Sequence, residues 1–208
     1  MFSSAKPGSS RHAVSDLDGL ASALRFAMAD GDPADRLLTA APRAPMDAVA
    51  ADGGDGVEPD GPQFTLSLLT TGTDGWPVTS LLGPGEVVVI DAVRVRIALW
   101  SSARANGNLA REERATLDFI FEGCFFQLRL RSMGHAPLVL SKRARADATT
   151  STLVCHELLL VEGEAQRVPY AELTSGIRYR LTGDATARAD TAERWRAQQA
   201  ALAAFSWS

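Results

Sequence analysis

The chain has 208 residues, 46% of them apolar and 22% charged, with a formal net charge of −4 and a pI near 5.4. That length holds one core of ordinary size with an appendage, and the mild acidity argues against nucleic acid as a partner, because neutralising phosphates takes a clustered basic surface. No stretch approaches the ~18 consecutive apolar residues of a membrane span, and the opening MFSSAKPGSS has no apolar run of the signal-peptide kind, so the expectation is a cytoplasmic protein without membrane contact.

Only two of the basic residues are lysines, Lys6 and Lys142, and the two cysteines, Cys124 and Cys155, belong to no CxxC pair. Neither a disulfide nor a zinc site is expected from that spacing. Composition changes near residue 62 and divides the chain into an extension, 1–61, and a folded domain, 62–208. In the extension, Leu17, Leu20, Leu24 and Met28 recur at helical spacing from Ser15 until Gly31-Asp32-Pro33 ends the pattern, which predicts a helix that packs on the domain. Residues 47–62, rich in Asp, Gly and Pro, have almost nothing to bury and read as an acidic linker.

From Phe64 the pattern is short β-type runs between turns. Residues 64–71 and 78–82 flank Gly72-Thr73-Asp74-Gly75, whose Asp-Gly step tolerates the positive φ of a tight hairpin. After Gly83-Pro84-Gly85, residues 86–91 and 94–100 form a second hairpin, and the alternation of Arg94, Val95, Arg96 and Ile97 predicts one wet face. Residues 106–113 read as a short helix anchored by Leu109. Strands follow over 115–121 and 124–131, joined at Glu122-Gly123. In the second, Phe126, Leu128 and Leu130 alternate with Gln127, Arg129 and Arg131, so its polar face must meet water, a ligand or another subunit.

Residues 132–148 read as an irregular excursion ending in the basic run Lys142-Arg143-Ala144-Arg145, which as four loop residues is a solvated turn. A long strand over about 152–168 comes next, and a helix over about 186–205 follows with Ala192, Trp195, Leu202 and Phe205 on its buried stripe. Six or so antiparallel strands joined by tight hairpins exclude a parallel α/β sheet and predict a mainly β fold, a closed or partly closed barrel with flanking helices.

The pieces Asp74-Gly75-Trp76-Pro77, residues 78–82, 95–100, Ser101-Ser102-Ala103-Arg104, the helix and Arg114-Ala115-Thr116-Leu117 stand in an order that resembles the pyridoxamine 5′-phosphate oxidase-like family, the FMN-binding split barrels. The resemblance spans roughly residues 62–131, with a weaker stretch over 168–176. It implies a six-stranded antiparallel split β-barrel and a homodimer holding FMN in a groove between subunits. Ser80, Leu81 and Leu82 would lie along the flavin ring through their backbone groups. Trp100, Ser101, Ser102 and Arg104 would flank the ring and hold the phosphate, and Gln127 would reach the flavin. A loop entering a helix offers free N–H groups to an anion, and a guanidinium adds two parallel bonds.

The pattern also departs from the family. Ser80 stands where the oxidases carry an arginine, Gly83-Pro84-Gly85 where they carry a lysine, and Ala105 where a second basic residue follows, and the C-terminal Arg-x-His signature is absent. The resemblance thus implies an FMN-dependent oxidoreductase acting on a small molecule or reduced nucleotide, and not a true pyridoxamine 5′-phosphate oxidase. The alternative is a barrel that binds flavin or heme without turnover, or binds no cofactor.

From the residues alone, Trp76 and Trp100 fit rim packing better than a flavin cover, and Gln127 fits a wet strand face. Successive residues of a strand point to opposite faces, so Cys155-His156-Glu157 is no metal site. Cys124, beside Phe125 and Phe126, reads as a small hydrophobe with a raised pKa.

Overall fold

The computed structural model describes residues 10–14, 19, 24, 63–140 and 152–207. The acidic linker, the basic run 142–145 and most of the helix expected after Ser15 lie outside the described residues. Gly19 and Leu24 are helical, and Leu24 is fully buried in the main core. The strands are β1 (Ser10–Val14), β2 (Gln63–Phe64), β3 (Leu66–Thr71), β4 (Pro77–Leu82), β5 (Val87–Val89), β6 (Arg94–Trp100), β7 (Arg114–Phe121), β8 (Cys124–Leu138), β9 (Leu153–Arg167) and β10 (Arg178–Tyr179). A single 3₁₀ turn (Pro84–Glu86) separates β4 from β5, α1 (Arg104–Glu112) lies between β6 and β7, and α2 (Ala185–Ala204) follows β10.

The expected turns form for the expected reasons. Gly75 takes φ 81°, and the Asp74 carboxylate accepts the Trp76 N–H at 3.1 Å. Glu122 and Gly123 both have positive φ, as a two-residue hairpin with native twist demands. Between β5 and β6 the Asp91 carboxylate accepts the N–H groups of Val93 and Arg94.

The strands pair antiparallel in the order β4-β3-β7-β8-β9-β6-β5, with β1 added on β9, and β2 and β10 form a separate pair. The path therefore has seven strands against the six expected. Laid flat, its two edges would be roughly 29 Å apart at the usual strand spacing. Yet residues 83–86 alone join β4 to β5, and that link reaches at most about 18 Å. The sheet must curl into a half-barrel. Leu66, Leu68, Val95, Ile97, Leu117, Leu128 and Leu158 fill its concave side, and Ala105 and Leu109 of α1 close the same cluster.

Helix α2 packs on the convex side and clamps the link. Trp195 lies so close to Gly85 that a Cβ there would be 2.4 Å from its ring, and Gln199 donates to the Pro84 carbonyl at 2.8 Å. Asp184 caps the helix start by accepting the Ala187 N–H. At the other end Arg96 donates to the carbonyls of Leu202, Ala203 and Phe205 and pairs with Glu157 at 2.7 Å. Burial works against the Glu157 charge, but hydrogen bonds from Arg96 and Trp207 outweigh it and hold the carboxyl below its usual range.

Two expectations are corrected. The Arg94/Arg96 face is not wet at Arg96, which is only 6% exposed because the end of α2 covers it. Residues 132–138 are not irregular: β8 continues to Leu138. Beyond Arg131 it pairs with β9 alone, so Pro137 stands on an edge where its missing N–H costs no ladder bond. The stripe on α2 is as expected at Ala192, Trp195 and Leu202, with Gln198 also buried and Phe205 partly so.

Replacing Gly85 by Ala drives a methyl into Trp195. The expected cost is about 1–3 kcal/mol of stability in urea unfolding followed by tryptophan fluorescence; an unchanged midpoint would mean that α2 does not clamp the link.

Candidate functional site

Strand β4 is an edge of the sheet, hydrogen-bonded to β3 only, so alternate backbone N–H and C=O groups point outward without a strand partner among the described residues. Ser80 is half-buried and Leu81 is 56% exposed. Leu82 turns into the core, and its carbonyl takes the Thr65 hydroxyl at 2.8 Å. Just before the strand, Trp76 is 72% exposed, so its ring contributes little to the chain's own packing.

The second group lies where β6 runs into α1. Trp100, Ser101, Ser102 and Arg104 are all exposed and contiguous around the helix start. Ala103 is the N-cap and has no side-chain cap, and the first turn holds no acidic residue. The helix begins at Arg104, two residues earlier than expected, which puts this guanidinium at the positive end of the helix dipole. Among the described residues nothing pairs with it. An uncapped helix start with a cation added is an arrangement that an anion stabilises.

This loop is tied to the barrel by residues that the sequence did not single out. Asn106 donates to the Ser101 carbonyl at 3.2 Å, which leaves its Oδ1 to accept from His156 Nε2 at 2.8 Å. His156 is fully buried on β9, stacked on His135 of β8 with ring centroids 5.2 Å apart. Its Nδ1 has no partner. Burial, and after it the neighbouring His135, pulls the imidazole down to about 4. A neutral ring donating from Nε2 is the form that holds Asn106, and through it the Ser101 loop. Glu157, next along β9, faces Arg96 on the other side of the sheet.

Gln127 is not brought to this place. It is on the convex face, where it donates to Asp118 at 3.2 Å beside Phe125, Glu164 and Gln166. Its neighbour across the ladder is Glu164, whereas that of Trp100 is Leu153, eleven positions along β9 or roughly 35 Å of extended strand. Both cysteines are buried free thiols, and burial raises Cys124 and pushes Cys155 up to about 11. Among the described residues no three His, Cys, Asp or Glu side chains are grouped to hold a metal ion, and no helix is long and apolar enough to cross a membrane.

No family model matches the chain. It is 30% identical over 114 residues to the uncharacterized protein YclD of Bacillus subtilis (strain 168), a match covering 55% of this chain and 69% of that protein. Among solved structures it is similar to an F420 reductase (11% identity, TM-score 0.40, 55% of this chain and 98% of that one). It is also similar to an FMN-binding protein from Syntrophomonas wolfei (10%, TM-score 0.36, 48% and 75%). A third is a general stress protein 26-related protein of the pyridoxinephosphate oxidase family from Clostridium acetobutylicum (12%, TM-score 0.35, 56% and 85%).

His156 carries a pH dependence with a definite sign. Its folded pKa lies below the unfolded value near 6.5, so the unfolded chain binds the extra proton first. Its contribution is full above about pH 6.5 and falls away as pH drops toward 4. Denaturant unfolding at pH 7 and pH 5 should differ by about 2 kcal/mol from this group, a step that shrinks in His156→Gln. An equal step in the variant assigns the acid sensitivity to other groups.

Proposed function

The chain belongs to one family with YclD of Bacillus subtilis, and we propose that it is an FMN-binding oxidoreductase, with the flavin at the interface of a homodimer. It would pass hydride or electrons between a reduced nucleotide or small organic substrate and an acceptor, and would not be a true pyridoxamine 5′-phosphate oxidase. The observation that carries this reading is Arg104, unpaired at the uncapped start of α1, with the hydroxyls of Ser101 and Ser102 beside it.

The residues present fit a phosphorylated planar cofactor. Arg104, Ser101, Ser102 and the first N–H groups of α1 take a phosphate. The outward N–H and C=O of Leu81 suit the polar rim of a ring system, whereas those of Ser80 face Leu68 of β3, and partly exposed Trp100 offers the ring an apolar surface. Bound there, FMN would supply the redox chemistry, while the chain supplies position, charge and exclusion of water. The Asn106–His156 chain acts as a positioning device, because it fixes the carbonyl of Ser101 and with it the phosphate loop. Gln127, set apart along β9 within one chain, would join the site only from a second copy, which is what a shared interfacial groove supplies.

Purified protein mixed with FMN should take up flavin absorbance with micromolar affinity, and Arg104→Ala should weaken binding about 10- to 100-fold through loss of charge-assisted bonds. Flavin that binds equally well to the variant removes Arg104 from the phosphate site, and no uptake at all overturns the flavin reading. Sedimentation tests the second copy separately: twice the chain mass of 22.1 kDa is expected, and a stable species at 22.1 kDa overturns the interfacial groove.

A further inference from the structure

On the convex face of the sheet, away from the start of α1, a groove of about 390 Å³ runs across β3, β7, β8 and β9. Arg114 and Arg131 face each other directly across the β7–β8 ladder and both line it. Side chains at such positions have Cβ atoms about 4.5–5.5 Å apart, and like charges there are destabilising. Arg129, in the next row, is neutralised by Glu162 at 2.8 Å and Glu164 at 3.6 Å. Arg114 and Arg131 have no such partner among the described residues, and both are exposed.

The groove is not polar throughout. Leu69 and Pro77 form one wall. Val161 forms part of the other because β9 is bulged there: Arg129 pairs with Glu162 and Leu130 with Leu160, which leaves Val161 as the extra residue. A bulge re-aims a side chain at the expense of ladder regularity. Here it turns an apolar one, 53% exposed, toward the arginines. Two adjacent guanidinium groups match the near-double charge of a phosphate monoester better than they match a single carboxylate. A groove of this volume with apolar walls accommodates a small organic body attached to it.

We propose that Arg114 and Arg131 form a binding site for the phosphate of a small phosphorylated organic ligand whose apolar part lies against Leu69, Pro77 and Val161. This site is separate from the one at Arg104, since the nine residues of α1, about 13 Å of helix, lie between the two ends where Arg104 and Arg114 stand. It does not depend on the flavin reading.

Phenyl phosphate, inorganic phosphate and phenol serve as probes in calorimetric titrations of the full chain, with ionic strength held constant by chloride. In Arg104→Ala, which removes the other phosphate site, the expected result is one phenyl phosphate per chain, weaker binding of phosphate and none of phenol. Arg114→Gln and Arg131→Gln should each weaken phenyl phosphate about tenfold or more, and Arg104→Ala should leave it unchanged. Affinity unchanged in both glutamine variants overturns the proposal, and so does affinity lost in Arg104→Ala alone. Thermal unfolding without phosphate gives the folding control: relief of the like-charge contact should leave the melting temperature of each glutamine variant equal or higher. A fall in both shows the arginines already engaged by the chain itself, which also overturns the open site. FMN uptake, read separately on Arg104→Ala, reports the other end of α1 whichever way this test falls.

Discussion

Residues 83–86 carry the chain from one edge of the seven-stranded path to the other, and the remaining architecture follows from how short that passage is. Because the edges must come near each other, the sheet acquires an inside and an outside. The inside is filled by alternate residues of its strands and plugged by α1, and the outside is left for α2. The passage is secured at close range, since Glu86 accepts the Gly83 N–H at 2.7 Å and Trp195 rests on Gly85. Closure at this point keeps β4 an edge strand, and that edge is what the candidate site uses.

Much of this architecture was legible because it is local. Asp-Gly and Glu-Gly steps mark hairpins, and alternation from Phe126 to Leu130 tells inner from outer residues. What was not legible depends on partners distant in sequence. Arg96 reads as a wet-face residue until α2, more than a hundred positions later, brings three carbonyls to it. Ser132, Gly134 and Pro137 look like turn residues, yet the bulged ladder with β9 keeps them in a strand, and Gly134, at φ 154°, lies under the ring of Trp207. Strand β1, five residues without an apolar run, is defined only by the half of β9 on which it lies.

The site shows the same division. The loop from Trp100 to Arg104 was singled out through the family resemblance, and its place at the start of α1 is local enough to be read from the chain. Its support was not, because Asn106 and His156 are fifty positions apart and neither type signals the other. In both regions basic side chains lie at the ends of α1 without anionic partners among the described residues. The short helix thus does two jobs: Ala105 and Leu109 seal the core while its start presents Arg104 to solvent.

Strand β9 is bonded along its length to β8 on one side, and to β6 and then β1 on the other. A strand flanked in this way opens only when the neighbouring ladders open with it, so its amides belong to the last cooperative unit to exchange with solvent deuterium. His156 belongs to that unit, and through Asn106 it holds the loop at Ser101, whose N–H also bonds the Thr152 carbonyl at 2.8 Å. The loop is thus anchored to the part of the sheet that opens last, and its geometry is set by the frame beneath it rather than by its own exposed residues.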